Sequence, residues 1–308
     1  MEQRNNVTEF VLLGITQSLL GQKILFAVFL LIYVVTMAGN LLIVLTVWFS
    51  PALEAPMFFF LGYLSFMDAI YSSTMTPKLI KDLLYQKRTI SFKACMTQLF
   101  LEHLFGGVDV TLLVVMAYDR YVAIFKPLHY LTIMNQKRCA MLVLLTWVGG
   151  LLHATPHVLF VYNLPFCGPN VMDHYCCDMY PLIKLACTDT YIVSLTVLAD
   201  DGVICMTVFT ILMVSYGVIL QSMKNLGKEG RRKALSTCGS HVTVVILFFV
   251  PCIFIYVRPP FTLPIDKYLA LFYTIIAPML NPLIYTLRNA EMKSILESVM
   301  HRVFIHLN

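Results

Sequence analysis

Seven long apolar segments constrain the fold of this chain more than any other feature of its sequence. Each is close to the roughly 20 apolar residues that an α-helix needs to cross the hydrocarbon core of a bilayer. Hydrophobic residues make up 59% of the chain and charged residues only 13%, against roughly 25% charged in soluble domains. The pattern predicts an all-α membrane protein, a bundle of seven transmembrane helices. The predicted spans are 24–49, 57–76, 94–125, 139–160, 192–223, 234–257 and 268–287.

We expect residues 1–308 to form a single domain. Residues 1–23 are polar and lack the apolar core and cleavage site of a signal peptide, which predicts that the N-terminus is not cleaved and that the first span acts as the membrane anchor. The distribution of the cysteines leads us to expect these residues outside the cell. Residues 24–288 would form the bundle. Residues 289–308 would form a short amphipathic helix along the inner leaflet and a cytosolic tail, because apolar residues recur there at helical spacing. The net charge of +5 comes from dispersed basic residues, which argues against a nucleic-acid partner and fits loops that contact anionic lipid or an acidic partner.

The cysteines support an extracellular N-terminus. Cys95 begins the third span, and four more cysteines lie in the loop between the fourth and fifth spans: Cys167, Cys176, Cys177 and Cys187. Thiols clustered in one loop suit an oxidising compartment, and a glycosylation sequon at Asn6 would be used on the same side of the membrane. The distribution of Lys and Arg favours this orientation only slightly. Spacing alone leaves the cysteine pairing open.

Ionisable side chains interrupt the apolar spans, where charges are costly and are normally paired. Asp68 and Asp109 are predicted to lie at mid-span. They form either a polar pair satisfied by asparagine and water, or a site for a sodium ion or shared proton, because two nearby carboxylates do not both stay ionised without a counter-ion. Asp119 and Arg120 lie at a membrane boundary, where they can pair with each other or with neighbouring helices.

Six short motifs follow one another along the spans. They are Gly39-Asn40, PMFFFL at 56–61 with LSFMD at 64–68, MAYDRYV at 116–122, Ser215-Tyr216, KALSTCGSH at 233–241 and PMLNPLIY at 278–285. Together they resemble the rhodopsin-like G-protein-coupled receptors and, within that class, the odorant receptors. The resemblance covers nearly the whole chain. One departure is Phe249, where the family often has tyrosine.

The resemblance implies a plasma-membrane receptor rather than an enzyme, with no cofactor apart from a sodium ion at Asp68 and Asp109. It would bind a small-molecule odorant and activate a heterotrimeric stimulatory G protein, raising cAMP. Disulfides would join Cys95 to Cys177 and Cys167 to Cys187. Residues implied in G-protein coupling are Asp119, Arg120, Tyr121, Tyr216, Lys233, His241, Asn281, Pro282 and Tyr285. The alternatives are a receptor of the same family with a non-odorant ligand, and a transporter or proton pathway; the absence of an internal repeat weakens the second.

A ligand cavity is expected between spans three, five, six and seven. Glu102, Gly106 and Asp109 share one stripe of span three, and the glycines would leave room for a ligand. Acidic groups there favour a polar or cationic ligand, unless they pair within the protein or hold a metal ion with His103. Only one of the adjacent residues Asp200 and Asp201 can point into the cavity. The predicted ligand-binding residues are Glu102, His103, Gly106, Gly107, Asp200, Asp201, Ile204, Phe249, Cys252, Ile253, Tyr256 and Thr274.

Overall fold

Seven long helices pack into one bundle in the computed structural model, which describes residues 7–49, 55–85, 88–222, 227–257, 263–288 and 292–294. The prediction of a seven-helix bundle is confirmed. Short helices occur at Pro127–His129, Tyr130–Ile133 and Met179–Lys184. The long helices are α1 (Leu19–Trp48), α2 (Pro56–Tyr85), α3 (Phe92–Phe125), α4 (Gln136–Tyr162), α5 (Tyr191–Ser222), α6 (Lys228–Tyr256) and α7, which is continuous through Asp266–Leu271, the π-helical Phe272–Ile276 and Ala277–Arg288.

Helix α2 differs most from its predicted span. Among the described residues, six helices are long and apolar enough to cross a membrane by length and composition, and α2 is not one of them. Its sequence contains Asp68 and a polar second half in which Lys78 and Asp82 form an ion pair at i, i+4 spacing. That polar half continues the helix to Tyr85, well past the predicted end at residue 76. Helix α2 nevertheless belongs to the bundle, because it packs along α1 and α3.

Helix α3 occupies the centre of the bundle and packs against α2, α4 and α5. Half of its residues are buried, whereas α1, α4 and α5 expose large apolar side chains such as Leu31, Leu152 and Val203. Apolar surface of this extent is not tolerated in water, so these helices contact lipid. The chain is therefore a multi-pass membrane protein.

A small β-sheet covers one end of the bundle and was not part of the all-α expectation. Its strands are β1 (Glu9–Leu12), β2 (Thr89–Ser91) and β3 (Val171–Met172). Strand β1 lies in the middle, antiparallel to β2 and parallel to β3. The fully buried Phe10 packs against Phe166, with ring centroids 5.4 Å apart. We call residues 7–18, 88–91 and 163–190 the cap.

One disulfide joins the cap to helix α3, and a second lies within the cap. Cys95 at the start of α3 is bonded to Cys177, and Cys167 is bonded to Cys187. These are the pairs that the family resemblance implies. Cys176 is a free, buried thiol, and its Sγ lies 3.2 Å from Nδ1 of His174.

Several predictions fall outside the described part of the chain. They concern the sequon at Asn6, the side chain of Lys233 and most of the amphipathic segment 289–303. Within that segment residues 292–294 are helical, and Met292 is buried.

Candidate functional site

The bundle encloses a cavity of about 160 Å³ in the half next to the cap. As expected, α3, α5 and α6 supply much of its wall. Predicted residues that line it are Glu102, His103, Gly106, Gly107, Asp201, Ile204, Cys252 and Tyr256. The sequence did not indicate the others, which are Tyr71, Val110, Thr111, Gly149, His153, Cys205, Phe248 and Tyr273. Helices α2 and α4 therefore contribute to the cavity as well.

Asp200, Phe249, Ile253 and Thr274 were predicted to line this cavity, and they do not. Phe249 is fully buried between helices, its ring centroid 5.9 Å from that of Phe209. The Thr274 hydroxyl shares a hydrogen bond of 2.8 Å with the hydroxyl of Tyr175 in the cap. Ile253 packs against the apolar core, and Asp200 faces away from the cavity. The rotation of each helix about its axis causes these differences, and helical spacing alone does not set it.

The two glycines of α3 have different surroundings. A Cβ atom at Gly106 would meet nothing within 4 Å, in keeping with a position that leaves room in the cavity. At Gly107 it would meet the Cα atom of Gly150 at 3.0 Å. Gly107 therefore also permits the close approach of α3 and α4.

Glu102 is a buried acidic side chain that lines the cavity. Only 5% of the residue is exposed. Its Oε2 atom has no hydrogen-bond partner in the part of the chain that the structure describes. An unpaired buried carboxyl group is unfavourable, and a ligand that donates a hydrogen bond would satisfy it. Asp201, by contrast, is engaged by α4, since its Oδ1 lies 3.3 Å from Nε2 of His157.

Three histidine rings lie beside these acidic groups. The ring centroid of His103 lies 5.8 Å from that of His153 and 5.2 Å from that of His157. Sequence reasoning singled out His103 alone. The i, i+4 spacing of His153 and His157 places both on one face of α4, and this signal was available in the sequence.

A second, much smaller cavity of about 10 Å³ lies between α2, α3, α6 and α7, and Asp68, Asp109 and Asn281 line it. The amide of Asn281 donates a hydrogen bond of 2.8 Å to Oδ2 of Asp68. Oδ1 of Asp109 is buried and has no partner among the described residues. The side-chain amide of Asn40 does not donate to these aspartates. It donates hydrogen bonds to the carbonyls of Thr36 and Pro278, at 2.9 Å each.

The side chains of Asp119 and Arg120 are hydrogen-bonded to each other near the other end of α3. Nε of Arg120 donates a hydrogen bond of 3.0 Å to Oδ2 of Asp119. Arg120, His241 and Tyr285 line one cavity of about 20 Å³, and the hydroxyl of Tyr285 has no hydrogen-bond partner within the described residues. The hydroxyl of Tyr285 is therefore a candidate hydrogen-bond partner for Arg120 in another arrangement of the helices.

The other residues implied in coupling lie around this motif. Tyr216 is hydrogen-bonded to Nδ1 of His241, which joins α5 to α6. Tyr121 is exposed and stacks on Phe125, with ring centroids 4.7 Å apart. Pro282 lies close to Gly39, where an added Cβ atom would meet the proline ring at 3.1 Å.

Known proteins similar to this chain agree with these features. The family model described as "Olfactory receptor" matches residues 29–304. Olfactory receptor 4A47 of Homo sapiens is 60% identical over 305 residues, covering 99% of each chain. Olfactory receptor 4A5 of Homo sapiens is 59% identical over 97% of this chain and 95% of its own. Olfactory receptor 4B13 of Mus musculus is 54% identical over 96% of each. Olfactory receptors are G-protein-coupled receptors and not enzymes. From the seven-helix bundle and these matches, the chain belongs to the olfactory receptor family.

Proposed function

We propose that this receptor binds a small-molecule odorant in the 160 Å³ cavity, and that the ligand shifts the bundle between two states. The observation that carries the proposal is that Oε2 of Glu102 has no hydrogen-bond partner among the described residues and that Glu102 lines an otherwise largely apolar cavity. Pockets of this kind, mostly apolar with a few polar groups, are typical of small-molecule sites.

The preferred ligand has a hydrogen-bond donor, best an amine cation, on a compact apolar skeleton. The donor would provide the missing partner of Glu102, and the skeleton would contact side chains such as Val110, Ile204 and Phe248. A hydrogen bond to a charged group contributes about 1.5–3 kcal/mol, which corresponds to roughly tenfold to hundredfold in affinity.

A cAMP reporter assay in cells tests the ligand class. Amines are compared with the alcohols and alkanes of the same carbon skeleton. With Glu102→Gln, the potency of active amines should fall at least tenfold while the matched alcohols change little. Asp189→Asn is the control, because Asp189 is an exposed cap residue that accepts a hydrogen bond from the backbone N–H of Tyr191 and does not line the cavity. Unchanged amine potency in Glu102→Gln would contradict the proposal.

We also propose that the active state couples to a stimulatory G protein. Arg120 would leave Asp119 and approach Tyr216 and Tyr285, and a groove for the G protein would open. The other residues proposed to take part in coupling are Tyr121, Lys233, His241, Asn281 and Pro282. The shared cavity of Arg120 and Tyr285 supports this path. Arg120→Ala should abolish the cAMP response while surface expression stays measurable. A transporter or proton pathway would instead show flux across the membrane without a ligand-dependent rise in cAMP.

The proposed location is the plasma membrane, with residues 1–23 outside the cell, 24–288 in the bundle and 289–308 at the cytosolic face. The support is the pair of disulfides in the cap, since such bonds persist in oxidising compartments. Antibody labelling of an N-terminal tag on unpermeabilised cells tests the orientation. Asn6→Gln should also increase the electrophoretic mobility of the receptor by removing a glycan.

A sodium ion is proposed between Asp68 and Asp109. The unpartnered Oδ1 of Asp109 and the small shared cavity support it, since about 10–15 Å³ accommodates one water-sized particle. Ligand affinity should then depend on sodium concentration in the wild type and lose that dependence in Asp68→Asn. Equal sodium dependence in both proteins would exclude the site.

A further inference from the structure

A second, larger space opens on the other side of the ligand cavity wall. It is a groove of about 430 Å³ between α4 and α5, which we call the α4–α5 groove. His157 and Asp200 line the groove, Asp201 lines the ligand cavity, and His153 lines both. Two histidines and two aspartates therefore lie in the wall between the two spaces, which we call the partition.

The nitrogen and oxygen atoms of this partition are spaced as metal ligands are. Nε2 of His157 lies 3.3 Å from Oδ1 of Asp201 and 3.5 Å from Oδ2 of Asp200. Nε2 of His153 lies 3.5 Å from Oδ1 of Asp201, and one ligand atom from each of the four residues lies within 4.8 Å of the others. A tetrahedral zinc ion with bonds of about 2.0–2.2 Å separates its ligand atoms by roughly 3.3–3.6 Å.

The tautomer of His157 leaves its other nitrogen facing this space. Nδ1 of His157 lies 2.8 Å from the carbonyl oxygen of His153, so Nδ1 carries a proton and donates it. A second nitrogen held in this way by a backbone carbonyl is the usual arrangement of a metal-binding histidine. Nε2 then presents a lone pair toward two carboxylates, which repel it unless a proton or a metal ion lies between them.

Buried polar atoms at the same place are not satisfied. His157 is 3% exposed and Asp201 is 5% exposed. Nε2 of His157 and Oδ2 of Asp201 nevertheless form no hydrogen bond of acceptable geometry in the described part of the chain. The nitrogen–oxygen separations also exceed the roughly 2.7–2.9 Å of a charge-assisted hydrogen bond. A single ring proton would serve one carboxylate, whereas a divalent ion would serve both.

We propose that His153, His157, Asp200 and Asp201 bind a divalent transition-metal ion of the Zn²⁺ type. Imidazole and carboxylate ligands suit such ions. The carboxylate of Asp200, whose side chain is 46% exposed, gives the ion a route from the α4–α5 groove. With the ion bound, the charge of Asp201 is neutralised in the cavity wall, and Glu102 is the acidic group left for a ligand. The site does not depend on which odorant the receptor recognises.

Cobalt is the probe for this site, because tetrahedral Co²⁺ absorbs visible light strongly and six-coordinate Co²⁺ does so weakly. The full-length receptor is purified in phosphatidylcholine nanodiscs and titrated with Co²⁺. We expect a tetrahedral spectrum that saturates at a stoichiometric amount of Co²⁺ and disappears when Zn²⁺ is added. The readout requires neither an odorant nor a G protein, so its failure is distinguishable from failure of the ligand proposal.

Two variants locate the ion. His157→Gln should abolish the tetrahedral spectrum. Asp200→Asn, at the open edge of the site, should weaken Co²⁺ binding at least tenfold without impairing folding. His129→Gln is the matched control, because His129 is exposed at the opposite end of the bundle. The proposal is overturned if the wild type gives only a six-coordinate spectrum, or if Asp200→Asn binds Co²⁺ as tightly as the wild type does.

Discussion

The hydroxyl group of Tyr130 donates a hydrogen bond of 2.8 Å to Oδ1 of Asp119. Oδ2 of the same carboxylate accepts a hydrogen bond from Nε of Arg120. Both oxygens of Asp119 are therefore occupied, and the short helix Tyr130–Ile133 is tied to the Asp-Arg motif. Arg120 is thus bonded to Asp119, while the hydroxyl of Tyr285, which lines the same cavity, has no hydrogen-bond partner among the described residues.

Removing the Tyr130 hydroxyl should loosen that arrangement. Tyr130→Phe deletes a hydrogen bond to a charged group, worth about 1.5–3 kcal/mol, so that Asp119 is held by Arg120 without the restraint from Tyr130. We expect ligand-independent cAMP to rise several-fold at equal surface expression. Tyr118→Phe is the control, because Tyr118 is an exposed residue of the same motif. Basal cAMP at or below the wild-type level would show that the tyrosine does not restrain the motif.

The contact between α3 and α4 should not tolerate a methyl group at Gly150. A Cβ atom there would meet the carbonyl oxygen of Leu104 at 2.7 Å and Cγ2 of Val108 at 2.8 Å. Gly150→Ala should lower stability by about 1–3 kcal/mol, because the helices must separate. The measurement is the thermal midpoint of the purified receptor.

Gly217→Ala is the matched control for that substitution. Gly217 is also helical, and a Cβ atom there meets nothing within 4 Å. Alanine exceeds glycine in helix propensity by up to about 1 kcal/mol, so this variant should be as stable as the wild type or more stable. Equal midpoints for Gly150→Ala and Gly217→Ala would show that the α3–α4 contact relaxes freely.

The two disulfides should differ in their contribution to stability. Cys95 and Cys177 are 82 residues apart, whereas Cys167 and Cys187 are 20 apart. A bond that closes the longer loop restricts the unfolded chain more, by about 4.5 kcal/mol against about 3 kcal/mol in the chain-entropy model. The double variant Cys95→Ala with Cys177→Ala should therefore have a lower thermal midpoint than Cys167→Ala with Cys187→Ala. The reverse order would indicate that strain or residual structure outweighs loop length.

The cap contains a buried pair, His174 and Asp178, in which Nε2 of His174 lies 3.5 Å from Oδ2 of Asp178. The contributions of these two residues to stability change in opposite directions with pH. Burial lowers the pKa of His174 below its usual 6.5. The contribution of neutral His174 to the stability of the folded protein is thus fully present above pH 6.5 and is lost as pH falls through the lowered pKa. Burial raises the pKa of Asp178 above its usual 3.8, so its contribution is present below that value and is lost as pH rises through the raised pKa.

Acidification should consequently destabilise the cap through His174. Between about pH 7.5 and about pH 5.5, the thermal midpoint of the wild type should fall further than that of His174→Gln, which has no ring to protonate. His129→Gln should follow the wild type. Parallel pH curves for His174→Gln and the wild type would show that another group controls the acid response.

Local patterns predicted most of the bundle. The seven spans follow from runs of apolar residues, and their ends differ from the observed helix ends mainly where polar turns continue a helix, as in α2 after residue 76. The sequence patterns did not predict the cap sheet, because β1 has only four residues. It forms by pairing with strands that are roughly 80 and 160 residues away in the chain. A strand of that length has little signal of its own.

The sequence by itself determined that the chain crosses a membrane repeatedly and that Asp119 and Arg120 lie near the C-terminal end of α3. It also determined that an acidic residue of α3 would face the interior of the bundle. Only the tertiary structure decided that Asp201 lines the cavity while Asp200 faces the α4–α5 groove, and that His153 and His157 lie between them. The physical reason is that hydropathy and helical periodicity are properties of a single segment and can be read from its own residues. The rotation of a helix about its axis depends on packing against helices distant in sequence, as at Gly107 and Gly150.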